Sequence, residues 1–235
     1  MAKDCFSFKQ FSVHQDRCAM KVGTDGTLLG AWAIAPEGKC RILDIGTGTG
    51  LIALMMAQRY PQAEIVGIDI DSSACSQARE NVNNSPFKQR ISIVNIDIND
   101  YHDETFDSIV SNPPFFVESL KCPNETRAIA RHSDLLSYEN LFKCVNRLLS
   151  DTGKFSLVIP SNSLSSIESE ASLSGLFLSR KYAIKTTQKK CPKRFLLEFT
   201  KEIPKHFEES EEVLETSPNI RSDWYRKLTS DFYLK

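Results

Sequence analysis

From Arg41 onward, short runs rich in β-branched residues alternate with longer amphipathic ones, which restricts the chain to a mostly parallel sheet with helices on both faces. Arg41–Ile45, Glu64–Ile68, Ile91–Asn95 and Phe106–Val110 read as strands. Between them, Leu51–Arg59 stops before Pro61, and Ser73–Asn83 opens at a serine and stops before Pro86, as helices do. The fourth strand is cut off by Asn112-Pro113-Pro114, because successive prolines cannot donate to a ladder. Tyr138–Leu149 carries Leu141, Phe142, Val145, Leu148 and Leu149 at helical spacing, and Gly153 ends that unit. Lys154–Ile159 reads as a fifth strand, a serine-rich helix runs to Ser174, and Phe177–Ile184 with Phe195–Thr200 form a closing antiparallel pair. The expected fold is α/β, with a seven-stranded, mostly parallel sheet and one antiparallel strand.

The 235 residues fit one domain. Residues 1–40 form a lead-in with a helix near Gly26–Ala33, residues 41–200 the core, and residues 201–235 an extension. In that extension the acidic stretch Glu208–Glu215 reads as a loop before a last short helix, and Phe8 and Phe11 in the lead-in read as core. A composition of 41% hydrophobic and 25% charged residues excludes a fibrous or wholly disordered chain. No stretch approaches the ~18 apolar residues of a membrane span, and the first ten residues lack the apolar run of a signal peptide, so a cytoplasmic location is expected. Seven cysteines without a CxxC pair suggest free thiols, with neither a disulfide framework nor a metal site.

Asp44-Ile45-Gly46-Thr47-Gly48-Thr49-Gly50 falls where the first strand meets the first core helix, and glycine there lets the backbone approach a ligand closely. A nicotinamide fingerprint needs glycine at position 51, where Leu51 stands, so the spacing favours another nucleotide over a dinucleotide. A tight turn with no ligand is the alternative. Asp69, at the end of the second strand, can accept both hydroxyls of a ribose. Its neighbour Asp71 is the better candidate for helix N-cap. Asp97 ends the third strand, where it could accept from an adenine amine. Asp44 either meets an ammonium or stabilises the turn.

Asn112-Pro113-Pro114-Phe115 lies at the end of the fourth strand, beside the first, where open α/β sheets bind their ligands. The lone pair of an aromatic or amide NH₂ is delocalised, which makes it a poor nucleophile. Two fixed acceptors, the Asn112 amide oxygen and the Pro113 carbonyl, can hold its protons and direct that lone pair at an electrophile. Phe115 supplies a stacking face. The implied electrophile is a sulfonium methyl, for which no general base is required and most of the catalysis is orientation.

A net charge of −1 means that any nucleic-acid contact must come from a local patch. Arg180, Lys181, Lys185, Lys189, Lys190, Lys193 and Arg194 form a run with no acid among them, which suits either a solvated surface or an RNA-binding patch.

Taken together, Asp44–Gly50, Asp69 and the NPPF turn resemble the Rossmann-like fold of class I S-adenosylmethionine-dependent methyltransferases. Phe8-Lys9-Gln10-Phe11, Met20–Gly26, Leu29–Trp32, Asp44–Leu54, Ser111–Phe116, Arg127 with Ala130-Arg131-His132, and the tail Leu228–Leu234 narrow the resemblance to the bacterial tRNA1(Val) (adenine(37)-N6)-methyltransferase family, over nearly the whole chain. The resemblance implies S-adenosylmethionine as cofactor, S-adenosylhomocysteine as product and tRNA as partner, in an enzyme expected to be a monomer. It places Lys21, Thr27, Asp44, Gly46, Thr47, Gly48, Gly50, Asp69, Asp97 and Asn112 at the cofactor, with Lys21–Thr27 covering it. Asn112, Pro113, Pro114 and Phe115 hold the amine. Arg127, Arg131, His132, Lys189, Lys190, Lys193 and Arg194 meet RNA. Phe115 departs from the tyrosine of many amine-methylating relatives, losing a hydroxyl and keeping the stacking plane. Two other substrates fit the same turn: the glutamine amide of release factors and guanine N2 of ribosomal RNA.

Overall fold

The computed structural model describes residues 4–18, 21–113 and 136–234. A hairpin of β1 (Cys5–Ser7) and β2 (Ser12–His14) precedes α1 (Thr24–Trp32). Then come β3 (Arg41–Ile45), α2 (Leu51–Arg59), β4 (Glu64–Asp69), α3 (Ser72–Asn83), β5 (Ile91–Asn95) and β6 (Phe106–Ser111). After α4 (Tyr138–Leu148) follow β7 (Leu149–Pro160), α5 (Leu164–Leu173), β8 (Phe177–Lys185) and β9 (Arg194–Thr200). The C-terminal part adds β10 (Glu208–Val213), the small pair β11 (Glu215–Ser217) and β12 (Ile220–Arg221), and α6 (Asp223–Thr229).

The large sheet runs in the order β10, β8, β9, β7, β6, β3, β4, β5, with β9 antiparallel to both neighbours and every other pairing parallel. Side chains alternate across it with the period of two that a pleated strand imposes. Ile42, Val158 and Leu196 enter one apolar layer with α1 and α2, while Leu43, Ile45, Leu157 and Leu197 enter the other with α4. In that second layer Phe142 of α4 meets Phe155 and Phe199 edge-on, at centroid distances of 5.5 and 5.4 Å. Helix α1 lies close on α2 because Gly30 has no side chain: a Cβ there would sit 2.7 Å from the Met55 sulfur.

From β3 the chain steps outward through β4 to β5, then returns to place β6 on the other side of β3. The strand order reverses there, which opens a crevice at the carboxyl ends of β3 and β6. Ile45 pairs with Ser111, whose hydroxyl donates to the Ile45 carbonyl at 2.9 Å, so Gly46 and Asn112 leave the sheet side by side.

The structure departs from the sequence reading in three places. The sheet has eight strands and not seven, because the acidic stretch expected to be a loop forms β10 alongside β8. Opposite charges hold that pairing: Arg180 meets Glu208 at 3.2 Å, Lys181 meets Glu209 at 2.9 Å and Lys185 meets Glu211 at 2.6 Å. Three of the seven cations of the expected basic run are therefore neutralised within the sheet. Gly153 does not end a unit, since β7 begins at Leu149 and runs through it, with an irregular ladder before Lys154 pairs with Ser108. The lead-in contains a hairpin as well as a helix, and Phe8 and Phe11 are buried as expected, with rings stacked at 4.8 Å. Phe8 also bridges to Tyr233, tying the two ends of the chain together.

Glu198 on β9 is 1% exposed and accepts from the Ser179 hydroxyl at 2.9 Å and from Arg180 at 3.2 Å, with Lys154 at 3.6 Å. Arg180 lies over the Trp32 ring, 4.1 Å from its centroid. Removing one partner of a buried ion pair leaves the other uncompensated. Glu198→Leu is therefore expected to cost on the order of 3 kcal/mol, read as a lower urea midpoint at unchanged slope; an unchanged midpoint would show that Glu208 alone suffices for Arg180.

Candidate active site

The glycine turn is built by positive φ. Gly46 (φ 70°) and Gly48 (φ 55°) occupy the left-handed region that side chains rarely adopt, and a Cβ on Gly46 would meet nothing within 4 Å. The turn thus presents bare backbone to open space. It is anchored from β4, whose Ile68 carbonyl accepts from the Gly46 and Thr47 amides, each at 2.9 Å. Asp69, at the end of β4, accepts from the Gly48 amide at 2.9 Å with one oxygen and from the Asp71 amide at 2.9 Å with the other. Each carboxylate oxygen keeps a second lone pair for a ligand. Asp71 caps α3 through the Ser73 amide at 2.8 Å, the role expected of it.

A cavity of about 630 Å³ lies over this turn. Of the expected cofactor residues, Lys21, Gly46, Thr47, Gly48, Asp69, Asp97 and Asn112 line it, together with Pro113 and Arg194. Asp97 is fixed by the Asn99 backbone and side-chain amides, both at 2.8 Å. Three expected cofactor residues stand one layer behind the lining. The Thr27 hydroxyl donates to the Gly23 carbonyl at 3.1 Å, Gly50 begins α2, and Asp44 is sealed beneath the turn. Lys189, Lys190 and Lys193 sit exposed on the loop between β8 and β9, outside the cavity, and none of them is ion-paired among the described residues. Pro114, Phe115, Arg127, Arg131 and His132 lie outside the described residues.

Asn112 follows directly on β6. Its amide oxygen is buried and has no hydrogen-bond partner among the described residues. An unpaired buried carbonyl costs its full desolvation, so a donor entering the cavity would satisfy it.

Sequence reasoning missed several parts of the site. Ile70, 60% exposed beside Asp69, lends the cavity an apolar wall with Ile96 and Ile98. Asn81 of α3 accepts from the His14 amide at 2.8 Å and donates to the carbonyls of His14 and Thr49, both at 2.9 Å, which clamps the lead-in to the glycine turn. The readable signal was Gln77 and Asn81, two polar residues one turn apart on the buried face of α3. The pair Asp25 and Arg194 had no local signal.

Residues 24–188 match the family model described as the methyltransferase small domain. The chain is 48% identical over 239 residues to the tRNA1(Val) (adenine(37)-N6)-methyltransferase of Bacteroides fragilis, covering 100% of each chain. It is 49% identical over 235 residues to the protein of the same name from Phocaeicola vulgatus, covering 100% of this chain and 99% of that one. It belongs to the tRNA1(Val) (adenine(37)-N6)-methyltransferase family. The fold is shared with a predicted O-methyltransferase from Agrobacterium tumefaciens, at a TM-score of 0.70 and 19% identity over 88% of this chain and 96% of that one.

Members of the tRNA1(Val) (adenine(37)-N6)-methyltransferase family are methyltransferases that use S-adenosylmethionine, and the residues present fit it. Gly46 and Gly48 present backbone without side chains to the cavity, Asp69 keeps lone pairs that ribose hydroxyls could use, and Asp97 and Ile70 line it with a polar and an apolar side chain that would suit adenine. Among the described residues no cluster of His, Cys, Asp and Glu could hold a metal ion, and no helix is long and apolar enough to cross a membrane.

Asp44 accepts from the Thr47 hydroxyl at 2.7 Å and the Ala53 amide at 3.1 Å through one oxygen, while the other has no partner. Of the two roles open to it in the sequence, turn stabilisation is therefore the one its contacts display. Burial pushes its carboxyl from 3.8 up to about 7, against the opposing pull of those two hydrogen bonds. A carboxyl raised in the folded state binds a proton on folding between its unfolded and folded values, so its contribution to stability is lost as pH rises through about 7. Asp44→Asn keeps both acceptor contacts and removes that ionisation. It should melt a few degrees higher than the parent at pH 8 and at the same temperature at pH 4, as followed by calorimetry; a uniform offset at both pH values would contradict the assignment.

Proposed function

We propose that this enzyme transfers the methyl group of S-adenosylmethionine to N6 of adenine 37 in the anticodon loop of tRNA1(Val), acting as a cytoplasmic monomer. The buried, unpaired amide oxygen of Asn112, one residue beyond the strand that lies against the glycine turn, carries this reading. Full-length relatives at 48% and 49% identity bear the name of that activity.

The N6 lone pair of adenine is delocalised into the ring, so the enzyme has to orient it. The Asn112 oxygen and the Pro113 carbonyl accept hydrogen bonds from the two N–H groups, which fixes the base so that the lone pair, perpendicular to the ring plane, faces the glycine turn. Satisfying the orphaned Asn112 oxygen also favours an NH₂ over a keto group at that position. S-adenosylmethionine, when bound, would supply an electrophilic methyl on sulfur, with S-adenosylhomocysteine as the by-product and the surplus N6 proton released after transfer. Asp69 and the bare backbone at Gly46 and Gly48 fix its nucleoside end, and Lys21 borders it from the lead-in. Phe115 offers a stacking face to the adenine. Lys189, Lys190, Lys193 and Arg194 provide the local positive patch that a chain of net charge −1 needs to hold a phosphate backbone. The family resemblance adds Arg127, Arg131 and His132 as further RNA contacts.

The test is to incubate tRNA with the protein and S-adenosylmethionine and to digest it for nucleoside mass spectrometry. N6-methyladenosine should form, and Asn112→Ala should slow its formation by roughly a hundredfold with cofactor affinity nearly unchanged by calorimetry. Methylguanosine, or methyl groups only in added release factor, would overturn the reading.

A further inference from the structure

The cavity has a charged pair in its wall. Asp25, in the first turn of α1, meets Arg194, the first residue of β9, with Oδ1 and Nε 2.6 Å apart. Both line the cavity and each side chain is 22% exposed. The contact is a charge contact and not a directed hydrogen bond, for neither atom has a hydrogen-bond partner. Arg194 sits in register with Pro160 and Ile184, and the residue before it is anchored: the Lys193 amide donates to the Ile184 carbonyl at 3.0 Å and the Lys193 carbonyl accepts from the Ser161 amide at 3.1 Å. The start of α1 also adjoins Asn112, since a Cβ on Gly26 would lie 4.0 Å from the Asn112 amide nitrogen.

Other cations of the same run are spent on acids, Arg180 on Glu198 and Glu208, Lys181 on Glu209 and Lys185 on Glu211. Arg194 differs. Its Nε faces Asp25, while its two Nη groups have no partner among the described residues. A guanidinium offers donors in a planar fork suited to two oxygens of one phosphate. The N6 edge of a base is inaccessible to a methyl donor while the base is stacked, so the nucleotide has to swing out and carry its own phosphodiester to the cavity mouth.

We propose that Asp25 is a positioning residue that holds the Arg194 guanidinium beside Asn112, where its open edge takes the phosphodiester of the nucleotide swung out for methylation. This rests on the RNA-methylating reading and deepens it, separating one phosphate contact at the reacting nucleotide from the contacts made by the lysine loop.

The test measures tRNA affinity against salt concentration, together with KM, kcat and cofactor affinity, for the parent, Arg194→Ala, Arg194→Lys, Asp25→Asn and the Asp25→Asn/Arg194→Ala double variant. Arg194→Ala should weaken tRNA binding roughly tenfold or more and reduce the salt slope by about one, with cofactor affinity unchanged. Arg194→Lys should restore the slope but not KM, because a point charge replaces a fork. Asp25→Asn should raise KM for tRNA at unchanged slope, and the double variant should be no worse than Arg194→Ala alone. An unchanged slope in Arg194→Ala, additive losses in the double variant, or an equal loss of cofactor affinity would overturn the proposal. Absence of N6-methyladenosine with the parent protein would instead remove the functional reading beneath it.

Discussion

Parallel pairing of β3 with β6 sets Ile45 beside Ser111, and the rest of the site hangs on that register. The residues that follow, Gly46 and Asn112, leave the two strands together, so the glycine turn and the Asn112 amide become neighbours without any loop having to bring them there. A slip of one residue would turn each side chain to the opposite face. It would also exchange Ile42 and Leu43 between the two apolar layers that clamp the sheet. The register is therefore enforced by the core, and the geometry of the chemistry comes with it.

Around that fixed point the charges are sorted by depth. Glu198 and Asp44 are buried and serve the scaffold, one by gathering Arg180 and Lys154, the other by tying Thr47 and Ala53 into the turn. Charges that reach the cavity or its rim are left incompletely satisfied: Asp69 retains lone pairs, Arg194 retains its Nη groups, and the lysine loop stands in solvent. A chain with net charge −1 can thus present a small positive rim, because β10 absorbs the cations that would otherwise spread along β8.

Much of this was legible beforehand because it is locally encoded. Strand limits at Arg41–Ile45 and Ile91–Asn95 and the helix Leu51–Arg59 follow from apolar runs bounded by glycine and proline, and the structure has them at those residues. Asp71 as a cap, Asp69 at the strand end and Asn112 at the next crossover were readable for the same reason. What escaped depends on partners far apart in the chain. Glu208–Val213 is a poor strand by composition and becomes one only when Arg180, Lys181 and Lys185 lie opposite. The three-residue strands of the N-terminal hairpin carry too few residues to show a period, and depend on Asn81 and on ring packing by Phe8. The family resemblance puts Thr27 and Gly50 at the ligand; in the structure a helical turn carries Thr27 inward and Gly50 caps α2.

The Asn112 oxygen, without a partner among the described residues, is the acceptor we propose for an exocyclic amine. A crystal structure with S-adenosylhomocysteine and an anticodon stem-loop tests it most directly. The account predicts adenine N6 about 3 Å from that oxygen, with the base swung out of the loop and facing the glycine turn. An Asn112 amide satisfied by protein or solvent in that complex, with N6 elsewhere, would contradict it.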